Sequence, residues 1–153
     1  MMEYRDLSEE TVDAYLAYLE RAAAEDPEMM FVQTVDPEGI RARVADPFYR
    51  HSTSILAVEE GRVLGRLEYH FYGCIQDGFR MAYVDWVYVR KAYRHRGIAQ
   101  GLFRELERRC RDNHIDEYFL IPAQNPNADR FYGAFSNVER KQTPILRKIF
   151  PSE

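Results

Sequence analysis

Residues 81–112 read MAYVDWVYVRKAYRHRGIAQGLFRELERRCRD, and this stretch decides the fold. Its first part, Met81–Arg90, is almost entirely β-branched or aromatic, the composition of a strand buried on both faces. Its last part, Gly97 to Asp112, repeats Ile98, Leu102, Leu106 and Cys110 at i, i+4 with Phe103 beside them, an amphipathic helix. Between the two lies a turn rich in Arg and His. Such a strand–turn–helix leaves several backbone N–H groups unpaired at a helix N-terminus, which makes an anion site. Gly97 lets the backbone approach the anion, and Ala99 keeps the first turn uncrowded. Arg94 and Arg96 add charge-assisted donors. The spacing fits neither the dinucleotide fingerprint G-x-G-x-x-G nor a Walker A loop, which needs Gly-Lys-Ser/Thr.

Upstream, Ser8 with Glu9 and Glu10 opens a helix, and Val12, Leu16, Leu19 and Ala23 carry it to about Glu25. Asp36-Pro37 caps a short helix that uses Ile40 and Val44 and ends at Asp46-Pro47. Ser54–Glu59 and Val63–Phe71 form a hairpin across Glu60-Gly61-Arg62, and a Gly73–Gly78 loop leads into the central strand. Downstream, Asp116–Ile121 is a strand. Asn125-Pro126 caps a short helix with Ala128, Phe131, Tyr132 and Phe135 on one side. Val138–Lys141 and Ile145–Phe150 read as a closing hairpin broken at Pro144. The resulting order, α-α-β-β-β-α-β-α-β-β, is an α/β or α+β sheet with helices on its faces. At 153 residues it is expected to be one domain, 1–153.

Composition narrows the function classes. With 46% hydrophobic and 30% charged residues the chain is globular, too apolar for disorder and too charged for a bilayer. No apolar run is long enough to span a membrane, and the charged start Met1–Asp6 lacks a signal-peptide core, so a soluble cytoplasmic protein is expected. Two cysteines, Cys74 and Cys110, make neither a disulfide framework nor a metal quartet, and four histidines show no ligand spacing, so no metal is expected. The net charge of −4 is uneven: Arg90–Arg111 holds eight basic residues against two acids, +6, and the remainder is −10. A compact positive stretch in an acidic chain points to a small polyanion held locally rather than to nucleic acid.

Arg94-His95-Arg96-Gly97-Ile98-Ala99 resembles the acetyl-CoA motif Q/R-x-x-G-x-G/A of the GNAT acetyltransferase superfamily, on the strand–turn–helix where that motif belongs. A second signature agrees: Asn125 is followed seven residues later by Tyr132 in Asn-x-x-Ala-x-x-Phe-Tyr-x-x-Phe. The resemblance covers nearly the whole chain. It implies a mixed, mostly antiparallel central sheet of about six to seven strands flanked by four helices. It also implies that acetyl-CoA is the cosubstrate. Val87, Tyr88 and Val89 would align with the pantetheine through backbone groups, and Asn125 would hydrogen-bond that arm. Arg94, His95, Arg96, Gly97, Ile98, Ala99 and Gln100 would hold the pyrophosphate. Tyr132, by spacing alone a core aromatic, would protonate the departing thiolate.

The acceptor implied is a primary amine, on a small cationic molecule or a peptide, attacking directly in a ternary complex. Such an amine needs a base. Asp85 is the acid of the central strand, sharing a face with Tyr83 and Val87 by the period of two, and it leads as the base. Glu68 and His70 on the preceding strand, or a water, are the alternatives. Some relatives carry a Glu where Leu120 stands here, which closes that route. Glu25–Asp36, the Gly73–Gly78 loop and the Lys141–Pro144 turn are expected to frame the acceptor. Pairing as a homodimer, a non-catalytic CoA-binding module and a longer acyl donor all stay open.

Overall fold

The computed structural model describes residues 1–29 and 34–152. Met30–Gln33, part of the expected acceptor-facing segment, lie outside the described residues. The chain divides into two units, Met1–Ile121 and Pro122–Glu153.

The first unit is built around a five-stranded sheet in the order β1-β2-β3-β4-β5. The strands are β1 (Glu3–Asp6), β2 (Ser52–Glu59), β3 (Arg62–Gly73), β4 (Arg80–Val89) and β5 (Glu117–Leu120). All neighbours are antiparallel except β4 and β5, which run parallel. That parallel pair is what the intervening helix α3 (Ile98–Asp112) requires, since a crossover must return the chain to the same end of the sheet. Helices α1 (Val12–Glu25) and α2 (Pro37–Ala45) precede the β2–β3 hairpin.

Alternation along the strands divides the core. Tyr15, Tyr18, Leu19 and Ala22 of α1 pack with Leu56, Val58, Val63 and Tyr88 of the sheet. On α3, Ile98, Leu102, Phe103, Leu106 and Cys110 are buried, and Ile98 closes over Gly65 of β3. Tyr4 of β1 presses on Gly101, where a Cβ would overlap its hydroxyl. The core includes a charge: Arg66 lies on the Tyr15 ring, 5.4 Å from its centroid, and donates to Ser54 Oγ. α2 has no buried residue, so its Asp36 cap, which accepts from Gly39 N, is its clearest local support.

The second unit contains α4 (Pro126–Gly133). Residues 137–152 form no helix or strand, so the expected closing hairpin is not present. Its apolar residues stay exposed, Leu146 at 99% and Phe150 at 80%, so no burial repays the cost of ordering two strands. Pro144 also removes a ladder donor between them. The sheet therefore has fewer strands than expected even though it gains one at its other edge. β1 was read only as a charged start, because four residues of which three are charged carry no strand signal of their own.

Candidate active site

β4 ends at Val89, a 3₁₀ turn covers Lys91–Tyr93, and α3 begins at Ile98. The chain turns through two left-handed residues, His95 at φ 63° and Gly97 at φ 78°. Gly97 is the N-cap of α3 and brings no side-chain cap, so the first-turn N–H groups point outward without a side-chain acceptor. Nothing lies within 4 Å of where a Cβ on Gly97 would stand. Left-handed backbone at His95 and Gly97 just before a bare helix N-terminus turns main-chain N–H groups toward one side, the chemistry of an anion site. The donors of Ile98, Ala99 and Gln100 thus suit a pyrophosphate.

The two arginines are engaged within the protein. Arg94 donates through Nε to the Val89 carbonyl at 3.0 Å and stacks on Tyr88. Arg96 donates to both carboxylate oxygens of Glu59, at 2.9 and 3.1 Å, and this contact holds Glu59 below the usual carboxylate range. Half-exposed Arg96 is thus a cation whose charge is matched by the Glu59 carboxylate. Arg90 and Lys91 close against Glu25 at the end of α1, which also accepts from Tyr88 Oη at 3.2 Å.

β5 pairs with β4 only over Met81–Val84, so among the described residues Asp85–Val89 have no strand on that side. That stretch includes Val87, Tyr88 and Val89, the residues expected to receive the pantetheine. Of its carbonyls, Tyr88 O accepts from the buried Tyr18 hydroxyl at 3.0 Å and Val89 O from Arg94. Neither contact was foreseen: Tyr18 comes from α1, 70 positions away, and Arg94, five positions on, was read as a phosphate donor.

β4 is not regular. Glu68 pairs with Trp86 and Tyr69 with Val84, so Asp85 is the extra residue of a β-bulge. Two expectations are corrected by it. The period of two breaks at Asp85, so Trp86 joins the α1 side of the sheet and the shared face with Val87 is lost. Asp85 is also exposed rather than buried, and β4 is covered on both faces only in part.

The bulge gathers the acid–base groups. His70 Nε2 lies 2.9 Å from Asp85 Oδ2, and His70 Nδ1 lies 3.0 Å from Ser52 Oγ. Glu68, His70 and Asp85 each bring one ligand atom within 4.8 Å of the others. Arg66, 3.6 Å from Glu68, supplies the cation such a group of carboxylates calls for. Burial pushes the Glu68 carboxyl up, Arg66 opposes this, and the Asp85 charge adds to the rise. Ser52 carried no signal in the sequence; only the β2–β3 register brings it opposite His70.

In the second unit, Asn125 caps α4, its Oδ1 accepting from Ala128 N at 2.8 Å. The cap uses the amide oxygen and leaves the amide N–H₂ to donate elsewhere. Tyr132 packs edge-on with Phe131 and Phe135, at 5.1 and 5.5 Å. Burial raises its phenol above the ordinary value, which keeps it protonated at neutral pH.

The profile of the Acetyltransferase (GNAT) family matches residues 9–135. Among solved structures, an aminoglycoside acetyltransferase, meta-AAC0020, from an uncultured soil metagenomic sample, in complex with sisomicin, superposes with a TM-score of 0.81 at 14% identity. The match covers 98% of this chain and 97% of that one. A ribosomal-protein-alanine N-acetyltransferase from Brucella melitensis biovar Abortus 2308 gives 0.73 at 17% identity, covering 97% and 100%. The aminoglycoside N-acetyltransferase AAC(6')-Iy, in complex with CoA, gives 0.73 at 17%, covering 97% and 95%. No curated protein matches the chain.

Proposed function

Since the chain belongs to the GNAT acetyltransferase family, we propose that it moves the acetyl group of acetyl-CoA to a primary amine, as one acetyltransferase domain over 1–153. The observation that carries this is the left-handed Gly97 at the bare start of α3, following Arg94 and Arg96 in the turn that leads from β4. His95–Gln100 and Arg94 hold the pyrophosphate. Val87, Tyr88 and Val89 line the pantetheine, and Asn125 donates to it.

The amine attacks the thioester carbonyl directly, with no acyl-enzyme. A lysine-like amine is neutral in only about one molecule per thousand at pH 7.4, a cost of about 4 kcal/mol, so the proton must be taken on the enzyme. The group formed by Asp85, His70 and Glu68 takes it. Tyr132 returns a proton to the CoA thiolate. A phenol held above its ordinary value is a protonated donor throughout the neutral range.

The acceptor is a small cationic amine or a peptide amine. Outside Arg90–Arg111 the chain carries −10, which favours a cation. The neighbours named for aminoglycosides and for ribosomal-protein alanine act on acceptors of those two kinds. No helix among the described residues is long and apolar enough to cross a membrane. We place the protein in the cytoplasm.

Calorimetric titration with acetyl-CoA tests the site, with Arg96→Glu as the control. Binding by the native protein that is lost in the control supports the reading, and a thiol-release screen of amines then identifies the acceptor. Absence of binding at millimolar acetyl-CoA overturns it.

A further inference from the structure

Ser52, His70 and Asp85 stand on three adjacent strands and form one hydrogen-bonded line. Ser52 and His70 are register partners, joined through Oγ and Nδ1 at 3.0 Å. Across the ring, Nε2 meets Asp85 Oδ2 at 2.9 Å. The imidazole also lies along Tyr83, centroids 6.2 Å apart and planes inclined by 23°, so it is held on its face as well as at both nitrogens.

The bulge makes the line. The register that sets His70 opposite Tyr83 would, if continued, set Asp85 directly opposite Glu68; Trp86 stands there instead. Asp85 is thereby released from strand pairing and reaches the His70 ring. A carboxylate at Nε2 calls for the proton on that nitrogen. Nδ1 is then the acceptor, and Ser52 Oγ–H is its donor. Facing His70 from its own strand is Glu68, with Arg66 behind it. From β4 come Asp85 and Tyr83, and from β2 Ser52, with Ser54 turned to Arg66. Phe119 of β5 stacks on Tyr83, and Tyr15 of α1 underlies Arg66.

We propose that Ser52–His70–Asp85 is the proton exit for the acceptor amine. The inference rests on the acetyltransferase reading and specifies how its base operates. An N–H bond of the ammonium breaks and its proton is handed through a solvent water to Ser52 Oγ, while the hydroxyl's own proton passes to His70 Nδ1. The nitrogen lone pair so freed attacks the thioester carbon. The imidazolium, held by the Asp85 carboxylate, gives its proton to water, which it can do because the His70 side chain is 30% exposed. Asp85 is a positioning residue: it fixes the tautomer and steadies the charge but does not itself take the proton from the amine.

The test pairs imidazole ¹⁵N spectra of the whole protein with acetyl transfer to sisomicin, spermidine and a peptide beginning with alanine. The expected spectrum shows His70 protonated on Nε2 when neutral, becoming mixed in Asp85→Asn. With whichever amine turns over, His70→Gln lowers kcat/KM by about 10²-fold or more. It also removes the acid limb of the pH profile and leaves the KM for acetyl-CoA unchanged. Ser52→Ala slows transfer and Ser52→Thr restores it. A neutral His70 protonated on Nδ1, or wild-type rates in Ser52→Ala and His70→Gln, overturns the relay while the acetyltransferase reading stands. Wild-type protein that binds no acetyl-CoA, or acetylates none of the three amines, overturns that reading and the relay with it.

Discussion

Replacing Gly97 by Ala separates the anion site from mere backbone strain. Gly97 sits at φ 78°, where an L-residue costs about 1–2 kcal/mol. No atom lies within 4 Å of the new Cβ, so no clash adds to that cost. Gly61, at φ 75°, and Gly78, at φ 72°, are equally open and equally left-handed, and neither lies in the Arg94–Gln100 turn. All three Ala variants should therefore lose similar stability, a fall in Tm of roughly 2–4 °C per kcal/mol for a chain of this size. Acetyl-CoA affinity should divide them. A methyl at position 97 fills open space beside the backbone that a closely bound anion would take, and losing one hydrogen bond to a charged group costs about 1.5–3 kcal/mol. That is about 10- to 100-fold in Kd for Gly97→Ala and no change for Gly61→Ala or Gly78→Ala. Scanning calorimetry measures the first quantity and isothermal titration the second. Equal affinity in all three variants, at equal loss of Tm, would refute the assignment of this turn to the cofactor.

Tyr132→Phe should lower kcat by about 10²-fold or more without moving the Kd for acetyl-CoA. Because burial raises the Tyr132 phenol, its loss of a proton should not limit kcat below about pH 10. Glu68, whose carboxyl is raised by burial, is destabilising once ionised. Stability linked to its protonated form is present at low pH and lost as pH rises through the folded-state value. The Tm of Glu68→Gln relative to wild type should accordingly climb as pH rises above the ordinary carboxylate range, and a flat difference would count against the buried-carboxyl account. Burial pushes the Cys110 thiol up to about 11, whereas Cys74 is exposed. Native protein at pH 8 should expose one fast-reacting thiol to a colorimetric disulfide reagent, and that signal should vanish in Cys74→Ser.

Helices were legible wherever a cap and a stripe coincided: Asp36-Pro37, Gly97 and Asn125-Pro126 each start one where they were expected to. The start of α1 was read early, since Thr11 rather than Ser8 is its N-cap. Ser8 instead shapes the turn before it, accepting from Glu10 N. The β2–β3 hairpin was marked by Glu60-Gly61, both left-handed in the structure. The closing hairpin failed for the opposite reason. Apolar residues announce a strand only if something covers them, and Ile145, Leu146, Ile149 and Phe150 remain exposed.

By itself, the order of residues determined the strand–turn–helix at 81–112, the left-handed glycine before α3 and the cationic turn around it. These depend on neighbours within a few positions, and local sterics and periodicity act at that range. Tertiary structure alone decided what each side chain of the site meets. Ser52 reaches His70 across 18 positions, Arg96 reaches Glu59 across 37, and Tyr18 reaches the Tyr88 carbonyl across 70. A one-residue bulge then turned Asp85 from a presumed buried acid into an exposed partner of His70. Strand register follows from the packing of both faces at once, so a single extra residue can change it without leaving a local mark in the chain.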